Sequence, residues 1–423
     1  MTASIALLGM LAMMAMGAHV LVSMGLISSA MVVSLQGVPA AVIAQTAFKS
    51  VNSYPLMAIP MFVLMGNLMM RGQIASVMIE LVGSLVRWVR GGLALTVMLT
   101  CVFFAAISGS SVASAAAIGG ATVEGLKREA YPPRFSAALV AVGATLGLMI
   151  PPSLTFILIG SIVALPVDQL FIAGILPGLM EAALLLFTTY RYACKHGFGH
   201  TAERADLQGF KRRLPKAAGA LSMPVLVLGS IYAGLFTPTE VSAIAAAYAA
   251  ILCVFVYRTL DWGGVWRSAQ DSLLQSTMIF AVVLGGGLIG FVLARMGVSA
   301  SVISAVSDMQ LPTWQFLLMA LVILLILGMF LDGVAMIVLM APLLFPMAVH
   351  HGVNPIHFAV IMTATVEIAT LTPPVGLNLF VMSGIAKIPV EEVARGVVPF
   401  YLTRLVALVI ITFVPSLSLV LVQ

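Results

Sequence analysis

Residues 92–126 read GLALTVMLTCVFFAAISGSSVASAAAIGGATVEGL. Two apolar segments of about 15 residues, Gly92–Ile107 and Val112–Leu126, flank the small polar tip Ser108-Gly109-Ser110-Ser111. A helix needs about 20 apolar residues to cross a hydrocarbon core of ~30 Å. Because each segment is too short to cross alone, this stretch predicts a re-entrant hairpin, in which two half-length helices enter and leave the membrane on the same side.

The composition indicates that this hairpin belongs to an integral membrane protein. Of the 423 residues, 61% are hydrophobic and only 8% are charged, whereas soluble proteins carry about 25% charged residues. A water-soluble fold could not hide so much apolar surface, which excludes a cytosolic enzyme, a nucleic-acid-binding protein and a disordered chain. The apolar runs are continuous, without the alternation of membrane barrel strands. We therefore predict an all-α membrane protein, whose length allows roughly ten to fourteen crossings.

A second segment of the chain has the same shape as the first hairpin. Phe316–Phe330 and Ala335–Val349 are again short apolar runs, joined by Leu331-Asp332-Gly333-Val334, and they predict a second re-entrant hairpin. An ionised Asp332 near the bilayer centre costs about 2.5–3.5 kcal/mol on the insertion scale. We therefore expect Asp332 to be a cation ligand, the cap of the helix that follows it, or both.

Each hairpin is followed by an apolar crossing that two prolines interrupt. Proline removes a backbone donor and breaks a helix, so residues 135–165 are predicted to break at Pro151-Pro152 and residues 358–386 at Pro373-Pro374. The two proline pairs lie 222 residues apart. Because the same offset carries one hairpin tip onto the other, each hairpin and its broken helix form one unit of an internal repeat.

The basic residues indicate how the chain lies in the membrane. If the hairpins do not cross, each broken helix crosses once and the basic segment Arg191–Lys216 is cytoplasmic, then 18 of the 20 Lys and Arg residues fall inside, Arg404 among them. Only Lys49 and Arg295 fall outside, which is a strong positive-inside pattern. In this topology the second repeat starts from the opposite side, so the repeats are inverted. The net charge of +5 therefore reflects orientation and not affinity for nucleic acid.

The N-terminal stretch Ile5–Val33 is predicted to hold two short helices with a turn at Gly17-Ala18-His19, which would leave both termini outside. No Lys or Arg precedes Lys49, so the start predicts a mature membrane segment rather than a cleavable signal peptide. The three cysteines form no motif and predict neither a disulfide framework nor a metal site.

The chain is predicted to divide into two repeats and a set of scaffold helices. In order along the chain these are N-terminal scaffold helices 1–53, a first inverted repeat 54–193 with hairpin 92–126 and broken helix 135–165, a basic cytoplasmic loop 194–216, scaffold helices 217–271, and a second inverted repeat 272–423 with hairpin 316–349 and broken helix 358–386.

Inverted repeats with interrupted helices are typical of secondary transporters. Unwound backbone at membrane depth is tolerated only where it lines a cavity or is buried in protein. Its carbonyls suit Na⁺, and the N-termini of half-helices suit an anion. The hydroxyl-rich first tip therefore predicts an ion and substrate cradle, although a turn that needs small residues has the same sequence. Polar side chains flank the two breaks, where they either face this site or bond their own helix; they are Ser153, Thr155, Thr370, Thr372 and Asn378.

Two acidic residues lie inside apolar runs. Glu367 precedes the second break by about one turn and is a candidate ligand, proton carrier or partner of a cation, and Glu181 is a weaker candidate of the same kind.

Six short motifs, in this order, resemble one transporter family. They are Ala58-Ile59-Pro60-Met61-Phe62 with Gly66-Asn67, Phe104-Ala105-Ala106-Ile107-Ser108-Gly109-Ser110-Ser111-Val112-Ala113, Tyr131-Pro132-Pro133, Ile150-Pro151-Pro152-Ser153, Phe236-Thr237-Pro238-Thr239-Glu240 and Thr372-Pro373-Pro374-Val375-Gly376-Leu377-Asn378. Over essentially its whole length, the sequence resembles the large membrane subunit of tripartite ATP-independent periplasmic (TRAP) transporters.

The resemblance implies an elevator-type importer of the bacterial inner membrane, with a scaffold and a moving transport domain. It implies coupling to inward Na⁺ flow without ATP hydrolysis, and no cofactor besides these coupling ions. It also implies two partners, namely a small four-helix membrane subunit, expected as a separate chain, and a periplasmic solute-binding protein that delivers an organic acid. The implied sodium ligands are Ser108, Gly109, Ser110, Asp332, Gly333, Thr370 and Thr372, and the candidate substrate ligands are Ser110, Ser111, Ser153, Thr155 and Asn378.

Other protein classes stay open at this point. The permease of a tripartite tricarboxylate transporter or a single-component Na⁺/dicarboxylate symporter could share the hairpins, and would differ in whether the purified chain moves solute without a binding protein. A membrane enzyme is disfavoured because no cluster of His, Asp and Glu or nucleophile motif occurs at membrane depth. A channel would lack the paired inverted hairpins.

Overall fold

The computed structural model describes residues 20–34, 39–198, 206–298 and 311–422, with a few single positions between 9 and 13 and between 301 and 306. All regular secondary structure in these ranges is helical. The turn predicted at Gly17-Ala18-His19 lies outside the described residues. The helices of the first half are α1 (Val20–Ser34), α2 (Ala40–Val51), α3 (Ala58–Arg71) after a 3₁₀ turn at Pro55–Met57, α4 (Ile74–Val86), α5 (Gly92–Ser108), α6 (Ser111–Arg128), α7 (Pro133–Met149), α8 (Leu154–Val163) and α9 (Val167–His196).

The second half continues with the same alternation of long and short helices. Its helices are α10 (Leu207–Tyr232), α11 (Pro238–Ile251) with a π-helical extension over Leu252–Val256, α12 (Trp262–Arg295), α13 (Thr313–Gly328), α14 (Gly333–His350), α15 (Pro355–Ala369), α16 (Leu377–Ala386), α17 (Val390–Phe413) and the short α18 (Ser416–Leu419).

Helices end and restart where the sequence predicts the two hairpin tips and the two proline breaks. Helices α5 and α6 are the arms of the first hairpin, and α13 and α14 are those of the second. The α7–α8 and α15–α16 pairs are interrupted at the proline pairs, and both Pro-Pro peptide bonds are cis. The repeat is also visible in detail. Helices α8 and α16 each have ten residues, and each ends at a residue in the left-handed region, Ala164 (φ 56°) and Lys387 (φ 55°).

The basic segment differs from the prediction of a loop. Helix α9 runs on to His196, and α10 already begins at Leu207, so Lys211 and Lys216 lie on a helix. The start of α10 is capped by Asp206, whose side chain accepts a hydrogen bond from the Gly209 N–H at 2.7 Å. This bond and the Arg213 guanidinium hold the pKa of Asp206 below its usual value. Lys and Arg are good helix formers, so a polar composition alone does not make a loop.

Within the described ranges, seven helices are long and apolar enough to cross a membrane, and eight if the bent pair Ala41–Val51 and Pro55–Arg71 counts as one span. Residues 133–163 count as one crossing of 31 residues, as expected for a broken helix. Helix α5 is too short by the same measure, whereas α14, with 18 residues, is just long enough. The number is below the ten to fourteen that the length allows, and it leaves out shorter apolar helices such as α5, α13 and α15 as well as the residues that the structure does not describe.

Contacts between helices join the first half of the chain to the second. Helix α12 packs against α1, α2 and α3, α3 packs against α11, and α4 packs against α10. The first hairpin packs against α7, α6 also contacts α16, and α14 lies against α8 and α12. A polar tie holds α3 to α12, because Asn67 donates a hydrogen bond to the Ser272 hydroxyl at 2.8 Å and Arg71 pairs with Asp271 at 2.5 Å.

Candidate functional site

The tip of the first hairpin is docked against the break of its own repeat. Gly109 ends α5 with φ +61°, and its carbonyl accepts a hydrogen bond from the Leu154 N–H at 3.4 Å. A Cβ atom on Gly109 would lie 2.5 Å from the Pro152 carbonyl oxygen. Glycine is therefore required here both by the backbone conformation and by the close approach of the break.

Hydrogen bonds between serine side chains and the backbone stabilise the turn of this tip. The Ser108 hydroxyl donates to the Ser110 carbonyl at 2.9 Å, lies 2.7 Å from the Ser114 hydroxyl and accepts from the Ser110 N–H at 3.2 Å. Ser110 caps α6, and Ser153 caps α8, each by accepting from a backbone N–H two or three positions into its helix. Ser108, Ser111, Ser153 and Thr155 are buried, and Ser110 is partly exposed.

The tip of the second hairpin repeats this docking with different residues. Asp332 caps α14 by accepting from the Ala335 N–H at 2.7 Å, which is the role that Ser110 has in the first hairpin. The Val375 N–H, just after the proline pair, donates to the Met329 carbonyl at 3.1 Å. A Cβ atom on Gly333 would lie 2.6 Å from Val366 Cγ1, so the tip approaches α15 closely.

The two threonines at the second break bond within the chain. Thr370 donates to the Glu367 carbonyl at 2.8 Å. Thr372 donates to the Ile368 carbonyl at 2.7 Å and lies 2.9 Å from the Tyr401 hydroxyl. Because each hydroxyl donates its proton to a carbonyl, its oxygen keeps a lone pair that could coordinate a cation. Pro373 and Pro374 are exposed, whereas Pro151 and Pro152 are buried, so the second break is the more accessible one.

The two halves of the site are joined through the broken helices. Asn378, in the first turn of α16, donates its amide to the Ala141 carbonyl on α7 at 3.1 Å. Its Oδ1 atom is buried and has no hydrogen-bond partner among the described residues. Helix α7 packs against both α15 and α16. Each tip contacts the break of its own repeat, and α16 contacts α7 through the bond between Asn378 and Ala141.

A buried charged cluster lies beside this junction. The Arg404 guanidinium Nη1 donates to Glu181 at 2.6 Å and to Glu367 at 2.8 Å, and the three side chains are 1%, 2% and 0% exposed. Nη2 donates to the Val142 carbonyl at 3.3 Å and to the Thr145 hydroxyl. One guanidinium therefore holds α7 and α15, each a few residues before its break, to α9 and α17.

The position of Arg404 corrects the sequence analysis. Arg404 was counted among the cytoplasmic basic residues, but it lies within α17 and is fully buried. Of the roles considered for Glu367, pairing with a cation is the one that the geometry bears out, and the cation belongs to the same chain. The sequence carried a signal for this cluster, since an arginine inside an apolar run needs a buried partner. Thr145 and Tyr401 carried no such signal.

The donor set at the tips fits a monovalent cation bound by oxygen. In the ranges that the structure describes, no three His, Cys, Asp or Glu side chains are grouped as a metal site. A cation at either tip would be held by hydroxyl and carbonyl oxygens, with the Asp332 carboxylate adding charge at the second. Na⁺ accepts such neutral oxygen ligands at unwound backbone.

Comparison with known proteins decides the family. Residues 7–417 match the family model described as "Tripartite ATP-independent periplasmic transporter, DctM component". The chain belongs to this family. It is therefore the large permease of a TRAP transporter, an inner-membrane transport protein and not an enzyme.

Two relatives and one solved structure illustrate the breadth of the similarity. The chain is 35% identical over 426 residues to the C4-dicarboxylate TRAP transporter large permease protein DctM of Rhodobacter capsulatus, covering 97% of each chain. It is 36% identical to the isethionate TRAP transporter permease protein DctMQ of Oleidesulfovibrio alaskensis, covering 95% of this TRAP permease and 64% of that relative. The fold is similar to the crystal structure of the Alcanivorax borkumensis YdaH transporter, with a TM-score of 0.60, 15% identity and 88% of each chain covered.

Proposed function

We propose that this TRAP permease imports an organic acid and that inward Na⁺ flow drives the import. Two partners complete the transporter, a small membrane subunit and a periplasmic protein that delivers the substrate. The family description supports this assignment, since it names a tripartite and periplasmic system. The substrate class is supported by the relatives, whose names specify C4-dicarboxylates and isethionate, which are organic acids.

One observation carries the proposal. Each hairpin tip is docked on an interrupted helix of its own repeat, at Gly109–Leu154 in the first and Met329–Val375 in the second. Interrupted helices at membrane depth are tolerated only where they line a cavity or are buried in protein, and they are the usual ion sites of secondary transporters. We assign Na⁺ to the hydroxyl and carbonyl oxygens at these two places, with Asp332 as the charged ligand.

The energetics explain why ion and substrate move together. A bare carboxylate and unpaired polar groups are costly to carry through a low-dielectric region. Bound Na⁺ neutralises Asp332 and supplies positive charge to an anionic substrate near Ser110, Ser153 and Asn378. The fully loaded hairpins and broken helices then cross as one elevator-like unit against α1–α4 and α10–α12 at lower cost than a half-loaded unit.

The test separates the charge of Asp332 from its capping role. The complete transporter is reconstituted in proteoliposomes, and uptake is measured against external Na⁺. Asp332→Ser keeps an N-cap oxygen, as Ser110 does in the first repeat, but removes the carboxylate. We expect it to raise the Na⁺ concentration for half-maximal uptake about tenfold or more, the effect of losing one charged ligand.

A matched control comes from another cap of the same geometry. Asp261 caps α12 by accepting from the Gly264 N–H at 2.7 Å, and Asp261→Ser should leave the Na⁺ response unchanged. Uptake by the wild type that is equally fast without a Na⁺ gradient would refute the coupling. An unaltered Na⁺ response of Asp332→Ser would remove Asp332 from the site.

A further inference from the structure

A cavity of about 630 Å³ lies between the α2–α12 surface and the helices that start at the two halves of the candidate site. Helix α8 forms one wall with Ser161 and Ile162, and α14 forms another with Val338 and Pro342. Helix α8 starts at the first break and α14 starts at the second tip. At 1.5 Å per residue, Ser161 lies about 12 Å along α8 from Ser153.

Helix α2 lines the cavity with a polar stripe. Val42, Gln45, Thr46, Lys49 and Ser50 line it, and positions three and four apart share one face of a helix. Thr46 and Ser50 donate their protons to carbonyls of their own helix, at 2.8 Å each. They therefore offer no donor to a ligand, which leaves Gln45 and Lys49 as the donors of this stripe.

Serine hydroxyls and the glycines of α12 form the rest of the cavity lining. The Ser161 hydroxyl donates to the Ser53 hydroxyl at 2.8 Å, so the Ser53 proton is free to donate into the cavity that both residues line. Opposite, α12 presents Gly286, Gly287 and Gly290. A Cβ atom on Gly286 or Gly287 would clash with Val338 or Ser50, so these two glycines allow close packing, whereas the space beside Gly290 is open.

The ammonium group of Lys49 gives this cavity a positive charge. Lys49 is exposed and makes no ion pair within 4.0 Å in the parts of the chain that the structure describes. The Arg295 guanidinium lies over the ring of Phe291, 5.6 Å from its centroid, and Phe291 also lines the cavity. Lys49 and Arg295 are the two basic residues that the charge pattern places outside. Basic residues are depleted on that side, so a lysine that lines a cavity there, with an arginine beside one of the cavity's wall residues, calls for a functional reason.

We propose that this cavity is an outer binding site for the carboxylate group of the transported organic acid, ahead of the site at the hairpin tips. Lys49 supplies the charge-assisted hydrogen bond, and Gln45 and Ser53 orient the carboxylate. The inference rests on the proposed function for the identity of the anion. The site itself needs neither Na⁺ nor movement of the hairpins.

The first experiment detects occupancy without transport. Sealed right-side-out vesicles that contain the complete transporter are treated with a membrane-impermeant amine-acetylating reagent, and acetylated peptides are measured by mass spectrometry. We expect Lys49 to react and Lys211, on the predicted inner side, to stay unmodified until the vesicles are opened. Succinate at ten times its dissociation constant should slow acetylation of Lys49 about tenfold, since only the unoccupied fraction reacts. The uncharged succinamide should have no effect.

The outcomes discriminate between carboxylate and lipid as ligands. If Lys49 does not react in sealed vesicles, or if succinate gives no protection, the proposal is overturned. Proteoliposomes of phosphatidylcholine alone, and with added phosphatidylglycerol, test the other source of an anion. If phosphatidylglycerol protects Lys49 and abolishes the effect of succinate, the cavity is a lipid headgroup site and the proposal is again overturned.

The second experiment connects the cavity to uptake. Lys49→Met should raise the KM for the loaded binding protein about tenfold, while uptake at saturation stays close to wild type. Lys49→Arg should retain a normal KM, and Lys211→Met, a matched loss of charge on the opposite side, should change nothing. An unaltered KM in Lys49→Met would overturn the role in uptake. Absence of Na⁺ dependence in the wild type would refute only the sodium coupling, because protection by succinate is independent of it.

Discussion

At the scale of single residues, the buried Glu181, Glu367 and Arg404 side chains pair their charges with one another. Arg404 joins this cluster, since it bonds two carboxylates, a hydroxyl and a carbonyl within a fully buried site. Burying an isolated charge is very costly, and pairing offsets that cost. Removing one charged member of such a cluster should therefore lower the stability of the fold more than replacing all of its charged members together.

The Arg404 cluster leads to a stability prediction. Arg404→Met leaves Glu181 and Glu367 buried without their cation and should destabilise the protein by about 3–5 kcal/mol. The triple variant Arg404→Met, Glu181→Gln and Glu367→Gln carries no buried charge at this place and should recover most of that loss. Thermal unfolding of the purified complex in detergent measures both. A triple variant no more stable than Arg404→Met would contradict this account.

At the scale of helices, the decisive contacts are those between a hairpin tip and a break. At the first tip, backbone lies directly against the backbone of the break. The second tip bonds the backbone that follows the prolines and lies against the Val366 side chain of α15. Since proteins pack as densely as organic crystals, one added methyl group at such a contact must displace a helix.

Gly109 provides the test at this scale. Gly109→Ala places a Cβ atom 2.5 Å from the Pro152 carbonyl in a left-handed conformation, which costs about 1–2 kcal/mol from the conformation alone. We expect lower thermal stability and loss of uptake.

The matched variant is Gly120→Ala in the same hairpin, where a Cβ atom would meet nothing within 4 Å. It should be neutral or stabilising by up to about 1 kcal/mol, because alanine is the better helix former. Equal thermal stability and equal uptake of the Gly109→Ala and Gly120→Ala variants would show that the tip does not contact the break as described.

At the scale of the whole molecule, the helices assigned to the static group and those assigned to the moving group pack against each other, and some of their contacts are polar. Ser53, after α2, and Ser161, on α8, are one such contact, with 2.8 Å between their hydroxyl oxygens. In the proposed mechanism α2 belongs to the static group and α8 to the moving one, so this contact must break in every transport cycle.

A reversible cross-link tests that motion. In the variant Ser53→Cys with Ser161→Cys, oxidation should form a disulfide, because the hydroxyl oxygens that the two sulfurs would replace lie 2.8 Å apart and an S–S bond is ~2.05 Å long. Uptake should then stop, and a reductant should restore it. Oxidised single variants control for the native cysteines, of which Cys101 and Cys253 are buried. Undiminished uptake by the cross-linked protein would argue against the elevator motion.

Much of the architecture is local in origin and was therefore predictable. Small polar tips and proline pairs decide where a helix ends, so the positions of both hairpin tips and both breaks, and their repetition, follow from short stretches of chain. The capping roles of Ser110 and Asp332 are local as well, because cap and helix lie within three residues.

The remaining features arise from contacts between residues far apart in the chain. Arg404 meets Glu181 across 223 positions, Asn378 meets Ala141 across 237, and the cavity beside Lys49 needs four helices from both halves. Such partners leave no periodicity or motif in the chain, since their proximity depends on how all the helices pack. The apolar run around Arg404 indicated that the residue needs a buried partner, but only the packing of α7, α9, α15 and α17 determined which residues are its partners.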